Sequence, residues 1–272
     1  MLVTVVPAST KTGAATARSL LAKHVQVRGI YIDLSKIPAA FSANANIFAI
    51  EGHASDEGTF DLTGSDAVLA IIPPVFDGRD LIEHAEKISS NIKSAIELAG
   101  NVKRLVLLSS EGAEFSKSTS SYGPAYHEDQ GEIKTNHKAE EVLWKRKVES
   151  AVFVRCAYFM ENWTVNLATL KGPDLFFFST ITPVDFQILM VSISDIGATL
   201  ADPLTGKEAL PTKPYIVELH GPQKYSPLVV RGAFTQALGK EVELRPVEKE
   251  RLRHFYAKIF PPTILDCWLK WG

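Results

Sequence analysis

Proton-carrying side chains crowd one stretch of this chain. Glu111 lies two positions after the strand-like run Val102 to Ser109, and the polar segment behind it adds Tyr122, Tyr126, His127, Glu128 and Asp129. A carboxyl group partly shielded from water has its pKa raised toward neutrality, and an imidazole needs little tuning to exchange a proton there. Glu111, Tyr126 and His127 are therefore candidates for general acid–base catalysis, against the plainer reading of solvated loop charges. His137 has Glu140 three and Glu141 four positions on, so imidazole and carboxylate can share a helix face. It is a proton carrier or a structural pin, and Lys134 a cationic donor or an exposed helix lysine.

Tyr158-Phe159-Met160-Glu161-Asn162-Trp163 is rich in aromatic surface but carries one phenol and one amide. Such a set suits an apolar substrate oriented by few polar contacts. Tyr158 joins the catalytic candidates, and Ser109, Tyr122, Phe159, Met160, Asn162 and Trp163 form the expected substrate-binding set. The two cysteines, Cys156 and Cys267, have no metal-ligand spacing, so no metal site is expected. No Gly-x-Ser-x-Gly elbow, His-Glu-x-x-His pair or Gly-x-x-x-x-Gly-Lys-Ser/Thr loop occurs.

Alternating elements must hold these groups in place. Val3 to Val6, Val27 to Ile32, Phe48 to Gly52, Asp66 to Ile72, Val102 to Ser109 and Ser150 to Arg155 read as strands. Helical spacing between them covers Gly13 to His24, Asp77 to Leu98 and Ile133 to Lys147. Strand and helix in alternation predict an α/β fold, a Rossmann-like doubly wound parallel sheet. Residues 1–156 form that domain, with a long loop over 111–131 above its cleft, and 157–272 a smaller substrate-side region packed on it. Ligands of such sheets bind outside the carboxyl ends of the strands, so Pro7, Asp33, Pro73, Ser109 and Cys156 are expected around one mouth.

Net charge is −2 and no run of five or six like charges appears, which speaks against nucleic acid and anionic membranes as partners. The expected partner is a hydrophobic small molecule; the sequence leaves the oligomeric state open. With no leader-like start and no apolar run of about 18 residues, a cytoplasmic protein is expected.

The first strand runs into a helix through Val6-Pro7-Ala8-Ser9-Thr10-Lys11-Thr12-Gly13. In a dinucleotide-binding βαβ unit, glycines here permit the tight turn, the approach of backbone to pyrophosphate and the close seating of the helix. Only one glycine remains.

Several segments together resemble the NmrA-like, atypical short-chain dehydrogenases: this strand-turn-helix, Ala70 to Pro74 with Asp77 to Asp80, Leu107 to Ala113, His137 to Glu140, and Tyr158 to Trp163. Asp195-Ile196-Gly197, His220-Gly221-Pro222 and Ala237 to Val242 extend the likeness over nearly the whole chain. The resemblance implies a Gly-rich turn whose three glycines fall on Pro7, Thr10 and Gly13. Proline has no N–H to donate, and Thr10 adds a branched side chain where phosphate would approach. An arginine, implied for NADPH-binding relatives at the end of the second strand, is replaced by Ile32, followed by Asp33. The tyrosine-lysine pair of typical short-chain dehydrogenases is missing too, since Tyr122 is followed four positions later by Tyr126 and Tyr126 by Gln130.

Pro7, Thr10, Lys11, Gly13, Ile32 and Asp33 thus read as a vestigial cofactor site. The leading expectation is an enzyme without a cofactor that performs redox-neutral acid–base chemistry, such as isomerisation, cyclisation or epoxide opening, in natural-product biosynthesis. The alternatives are an NADPH- or NADH-dependent reductase, for which Lys11 and the helix start still favour an anion, and a non-catalytic regulator that senses a small molecule or dinucleotide.

Overall fold

In the computed structural model, residues 1–116, 133–144, 148–208 and 210–260, together with Pro262 and Leu265, are described. They form two compact units. The first comprises Met1–Val75, Asp80–Cys156 and Ile193–Leu219, and the second Phe76–Arg79, Ala157–Ser192 and His220–Gly272.

The strands are β1 (Leu2–Val6), β2 (Gln26–Tyr31), β3 (Ile47–Glu51), β4 (Ala67–Ala70), β5 (Arg104–Ser110), β6 (Ser150–Cys156), β7 (Tyr158–Phe159), β8 (Phe176–Ser179), β9 (Ile188–Val191), β10 (Tyr215–Leu219), β11 (Lys224–Tyr225) and β12 (Glu243–Pro246). The helices are α1 (Lys11–Ala22), α2 (Ala39–Ser42), α3 (Leu81–Ala99), α4 (Ile133–Trp144), α5 (Leu167–Leu170), α6 (Ile193–Thr205), α7 (Pro227–Leu238) and α8 (Leu252–Tyr256).

The first unit is built on a seven-stranded sheet in the order β10-β6-β5-β4-β1-β2-β3, with every neighbouring pair parallel. It is the expected Rossmann-like α/β fold. The chain leaves β1 toward β2 and β3 on one side, then returns to β4 on the other, so the order reverses between β1 and β4. Val68, Leu69, Leu105, Leu107, Val152 and Phe153 are at most 1% exposed, as befits strands covered on both faces.

Local chemistry sets the helix ends. Asp80 caps α3 by accepting from the N–H groups of Ile82 and Glu83, and Gly100 closes it with φ 67°. Ile88, Ile92 and Ile96, at the helical period, press that helix into the core it shares with Leu143 and Phe153. On α6, a Cβ added at Gly197 would lie 2.6 Å from the carbonyl carbon of Ala15. Only glycine lets α6 come this close to α1, which gives Asp195-Ile196-Gly197 a packing reason.

Two expectations change. Residues 193–219 belong with the sheet rather than with the C-terminal region, because β10 completes the hydrogen bonding of β6 and α6 seats on α1. The helix expected from Asp77 starts at Leu81 instead, since Asp80 is its cap. The expected loop over 111–131 lies mostly outside the described residues; its beginning holds one short 3-10 turn, Ala113–Ser116. Among the described residues no helix is long and apolar enough to cross a membrane.

In the second unit β7 and β11 flank β9, and β8 pairs with β12. Its core gathers Trp163, Leu170, Phe177, Met190, Val230 and Val242.

Candidate functional site

The point where the strand order reverses is a natural ligand crevice in an open parallel sheet, and the β1–α1 turn stands there. Pro7 and Ala8 are buried, and the Ala8 N–H donates to Ile30 O at 2.8 Å, tying the turn to β2. Pro7 therefore occupies a position inside the fold. Thr10 caps α1, its Oγ1 accepting from the Gly13 N–H at 2.9 Å. A Cβ added at Gly13 would stand 2.7 Å from the Pro7 carbonyl oxygen and 3.2 Å from Ala8 Cα. These are backbone atoms of the turn, which cannot swing aside as a side chain can, so a residue larger than glycine does not fit here.

First-turn N–H groups precede any intrahelical acceptor, so those of Lys11 and Thr12 add to the positive end of the helix dipole. The exposed Lys11 brings a full charge to the same end. The turn keeps one of the three glycines the resemblance implies, and its helix start is of the kind that favours an anion. At the end of β2, Asp33 is exposed and accepts from the Ser35 N–H at 2.8 Å. Hydrogen bonds from Ser35, with help from Lys36, hold its carboxyl below the usual range, so it is charged. Ile32 beside it is 53% exposed, an apolar side chain left in water next to that charge.

A buried network lies at the carboxyl ends of β5 and β6. Ser109 donates to Glu140 Oε1 at 2.6 Å, and Arg155 reaches the same carboxylate through Nε at 3.0 Å and Nη2 at 2.7 Å. A third arm, Nη1, meets Glu114 at 2.9 Å. Burial pulls the Arg155 pKa down, but its hydrogen bond to Glu140 and the charges of Glu140, Glu114 and Glu218 more than reverse this. The guanidinium stays charged between two carboxylates. Glu140, Arg155 and Glu114 are absent from the site expected from sequence. A lone arginine in the apolar run Val152-Phe153-Val154-Arg155 was the available signal, since a charge in a central strand needs a partner.

The other candidates separate. His137 Nδ1 lies 2.8 Å from the Ala113 carbonyl, which can only accept, so that nitrogen carries the proton and pins α4 to the 3-10 turn. Glu111 is exposed, and its N–H donates to Cys156 O at 3.0 Å. Lys134 is half-buried on α4. Tyr122, Tyr126 and His127 lie outside the described residues.

Tyr158, Phe159, Met160, Asn162 and Trp163 belong to the second unit. Trp163 is 7% exposed, in T-shaped contact with Phe177 and donating from Nε1 to Met190 Sδ at 3.5 Å, so it is core. Met160 and Tyr158 pack against that core, Phe159 is half-buried and Asn162 exposed. Burial lifts the Tyr158 pKa to about 12, with Tyr256 adding to the rise and a hydrogen bond with Asn162 opposing it.

The sequence profile of a family described as NAD(P)H-binding matches residues 8–195. The chain belongs to the NAD(P)H-binding family. The matched span opens on the β1–α1 turn and takes in Asp33, Ser109, Glu140 and Arg155. No curated protein matches in sequence.

Among solved structures, the NADPH-dependent quinone oxidoreductase QOR2 from Escherichia coli, complexed with NADPH, is similar with a TM-score of 0.75 and 18% identity, over 99% of this chain and 87% of that one. A Citrobacter sp. triphenylmethane reductase complexed with NADP(H) gives 0.73 and 17%, over 100% and 89%. A mutant NmrA gives 0.64 and 17%, over 90% and 74%. These likenesses fit the NmrA-like, atypical short-chain dehydrogenase expectation for the fold.

The expectation of no cofactor is corrected by this family membership. Counting lost glycines overstated the damage, because the close approach at Gly13 and the capped helix start are still in place. The cofactor-free isomerase reading falls with it.

Proposed function

We propose that this NAD(P)H-binding protein is a reductase of a small hydrophobic acceptor and that it prefers NADH to NADPH. The observation that carries the reading is the retained seat at Gly13, where a side chain would meet the Pro7 carbonyl, at the start of a capped helix above the sheet's reversal point. Quinone oxidoreductase and triphenylmethane reductase are the activities of two similar structures, and a comparable acceptor is proposed for this chain.

The N–H groups of Lys11 and Thr12 and the Lys11 ammonium would hold the pyrophosphate. Asp33, twenty positions after Gly13, falls where an acidic residue hydrogen-bonds the ribose hydroxyl of NAD, about 20 residues beyond the turn. Its charge opposes a 2′-phosphate, and Ile32 offers no guanidinium to receive one. When bound, the nicotinamide supplies a hydride. Ser109, whose proton goes to Glu140 Oε1, would use its remaining lone pairs to accept from a donor group of the bound ligand.

Calorimetric titration with NADH and with NADPH tests the reading. Micromolar binding of NADH, weaker binding of NADPH and consumption of NADH with a small quinone are expected. A folded protein that binds neither dinucleotide at millimolar concentration would end it.

A further inference from the structure

The seven-stranded sheet ends on β3, which pairs with β2 along one side. Two bonds fix which of its backbone groups point the other way. The Val27 N–H donates to Asn46 O at 2.8 Å and the Gly52 N–H to Tyr31 O at 2.9 Å, so residues 46 and 52 turn their backbone groups to β2. These groups alternate along a strand, so Phe48 and Ile50 also bond to β2, while Ile47, Ala49 and Glu51 face outward. The Ile47 N–H donates to Asn44 O at 3.2 Å. Among the described residues, the Ile47 carbonyl and both groups of Ala49 and Glu51 are left to that edge.

Sheet edges are commonly guarded by lysine, proline, a bulge or a covering element. Ile47-Phe48-Ala49-Ile50-Glu51 holds neither lysine nor proline. Phe48 is 43% and Ile50 38% exposed, Glu51 is exposed and Ala49 half-buried, so the edge is open to water. Phe48 and Ile50, two residues apart, place their side chains on one face.

We propose that β3 pairs antiparallel with β3 of a second copy of this chain, across a two-fold axis at Ala49, joining two sheets into one. In this register Ala49 faces Ala49, Phe48 faces Ile50 and Ile47 faces Glu51. The two Ala49 residues exchange both N–H···O bonds, and each Glu51 N–H reaches the Ile47 carbonyl across the axis. Phe48 and Ile50 then form the closer, non-hydrogen-bonded pairs, twice by symmetry, where apolar side chains gain most.

Charge and side-chain fit both select this register. It keeps the α-carbons of the two Glu51 residues roughly 14 Å apart, four positions along the strand. Setting Ala49 against Glu51 brings them to roughly 8 Å and places Phe48 opposite Gly52. Setting Ala49 against Ile47 places Ile50 opposite Asn46. The contact uses the same patch on both copies and so closes at two. Five residues a side, against about 20–30 in a standard interface, make the dimer a reversible one.

Sedimentation equilibrium of the full chain, from micromolar to millimolar, reads the association in wild type, Ala49→Pro and Phe48→Lys. Wild type is expected to show a monomer–dimer equilibrium, weakened roughly tenfold or more in either variant. Ala49→Pro removes an N–H that serves only the edge, and Phe48→Lys supplies a guard that the strand lacks. Circular dichroism checks that each folds, and Phe48→Lys, at an exposed side chain, carries the test should Ala49→Pro fold poorly. Cross-linking reads the register in a Cys267→Ser background, where Cys156 is buried. Under copper–phenanthroline oxidation Ala49→Cys should give a disulfide dimer, because opposed α-carbons about 5.5 Å apart suit that bond. Glu51→Cys should not.

A wild type that stays monomeric at millimolar concentration overturns the dimer and leaves the edge to a strand of some other protein. Dimers that persist unchanged in both variants overturn it too, since their contact lies elsewhere. Glu51→Cys cross-links that form as fast as those of Ala49→Cys overturn the register on which the pairing rests. Open-ended fibres in place of a dimer mean edge pairing without the two-fold axis, and they overturn it as well.

Discussion

Arg155 of β6 grips Glu140 of α4 through two nitrogens, Nε at 3.0 Å and Nη2 at 2.7 Å. With Ser109 on the same carboxylate and Glu114 on the third arm, one guanidinium joins β5, β6, α4 and the turn that follows β5. Glu140 is only 4% exposed, so removing one partner strands the other charge out of water.

Glu140→Ala and Arg155→Met should each cost about 3–5 kcal/mol of stability, the usual loss when one half of a buried pair is removed. Replacing both with apolar residues should cost less than the two losses summed. Urea unfolding of the two single variants and the double variant measures the coupling, and additive losses would show that the pair is not a unit.

Gly13→Ala should destabilise the protein by about 1–3 kcal/mol, because the added methyl would force backbone apart. NADH binding should fall with it, and thermal unfolding with and without NADH separates the effects. The wild type should gain stability from the ligand by mass action, and the variant should gain little or nothing.

Asp33→Ser combined with Ile32→Arg should turn the cofactor preference. Removing a carboxylate and adding a guanidinium should raise the NADPH-to-NADH affinity ratio by roughly tenfold or more, the equivalent of about 1.4 kcal/mol. Parallel titrations read it, and an unchanged ratio would mean that the 2′ position lies elsewhere.

Alkaline pH should unfold the protein in a window that Cys156 helps to set. Burial lifts its thiol from 9.0 to about 12 in the folded state. A raised folded pKa gives stability that is complete below pH 9 and lost as pH climbs toward 12, because the unfolded chain releases that proton first. Denaturant midpoints between pH 8 and 12 should show the decline, and Cys156→Ala should flatten it. At neutral pH iodoacetamide should label Cys156 slowly, since thiolate is the reactive form.

Much of the fold is written in local pattern. β1 to β6 lie close to the strands expected from sequence; in the central β1, β4, β5 and β6, burial on both faces favours runs of Val, Leu and Ile. Asp80 and Gly100, which bound α3, are local signals as well. β10 was less legible, since the run Tyr215-Ile216-Val217-Glu218-Leu219 becomes a sheet strand only by pairing with β6, a partner more than fifty residues away. His137 had two readings, and a single carbonyl, that of Ala113, engages its Nδ1.

The sequence by itself determined the parallel α/β scaffold, because hydrophobic periodicity acts over a few residues, and its ordered motifs carried the resemblance to the NmrA-like proteins. It also showed that two glycines of the first turn were replaced. Tertiary structure decided what those replacements leave: how near Pro7 O comes to Gly13 is set by the folded turn, and what Arg155 holds is set by distances to Glu140 and Glu114, residues remote in sequence. Close approach and charge pairing in low dielectric exist only once the chain has packed.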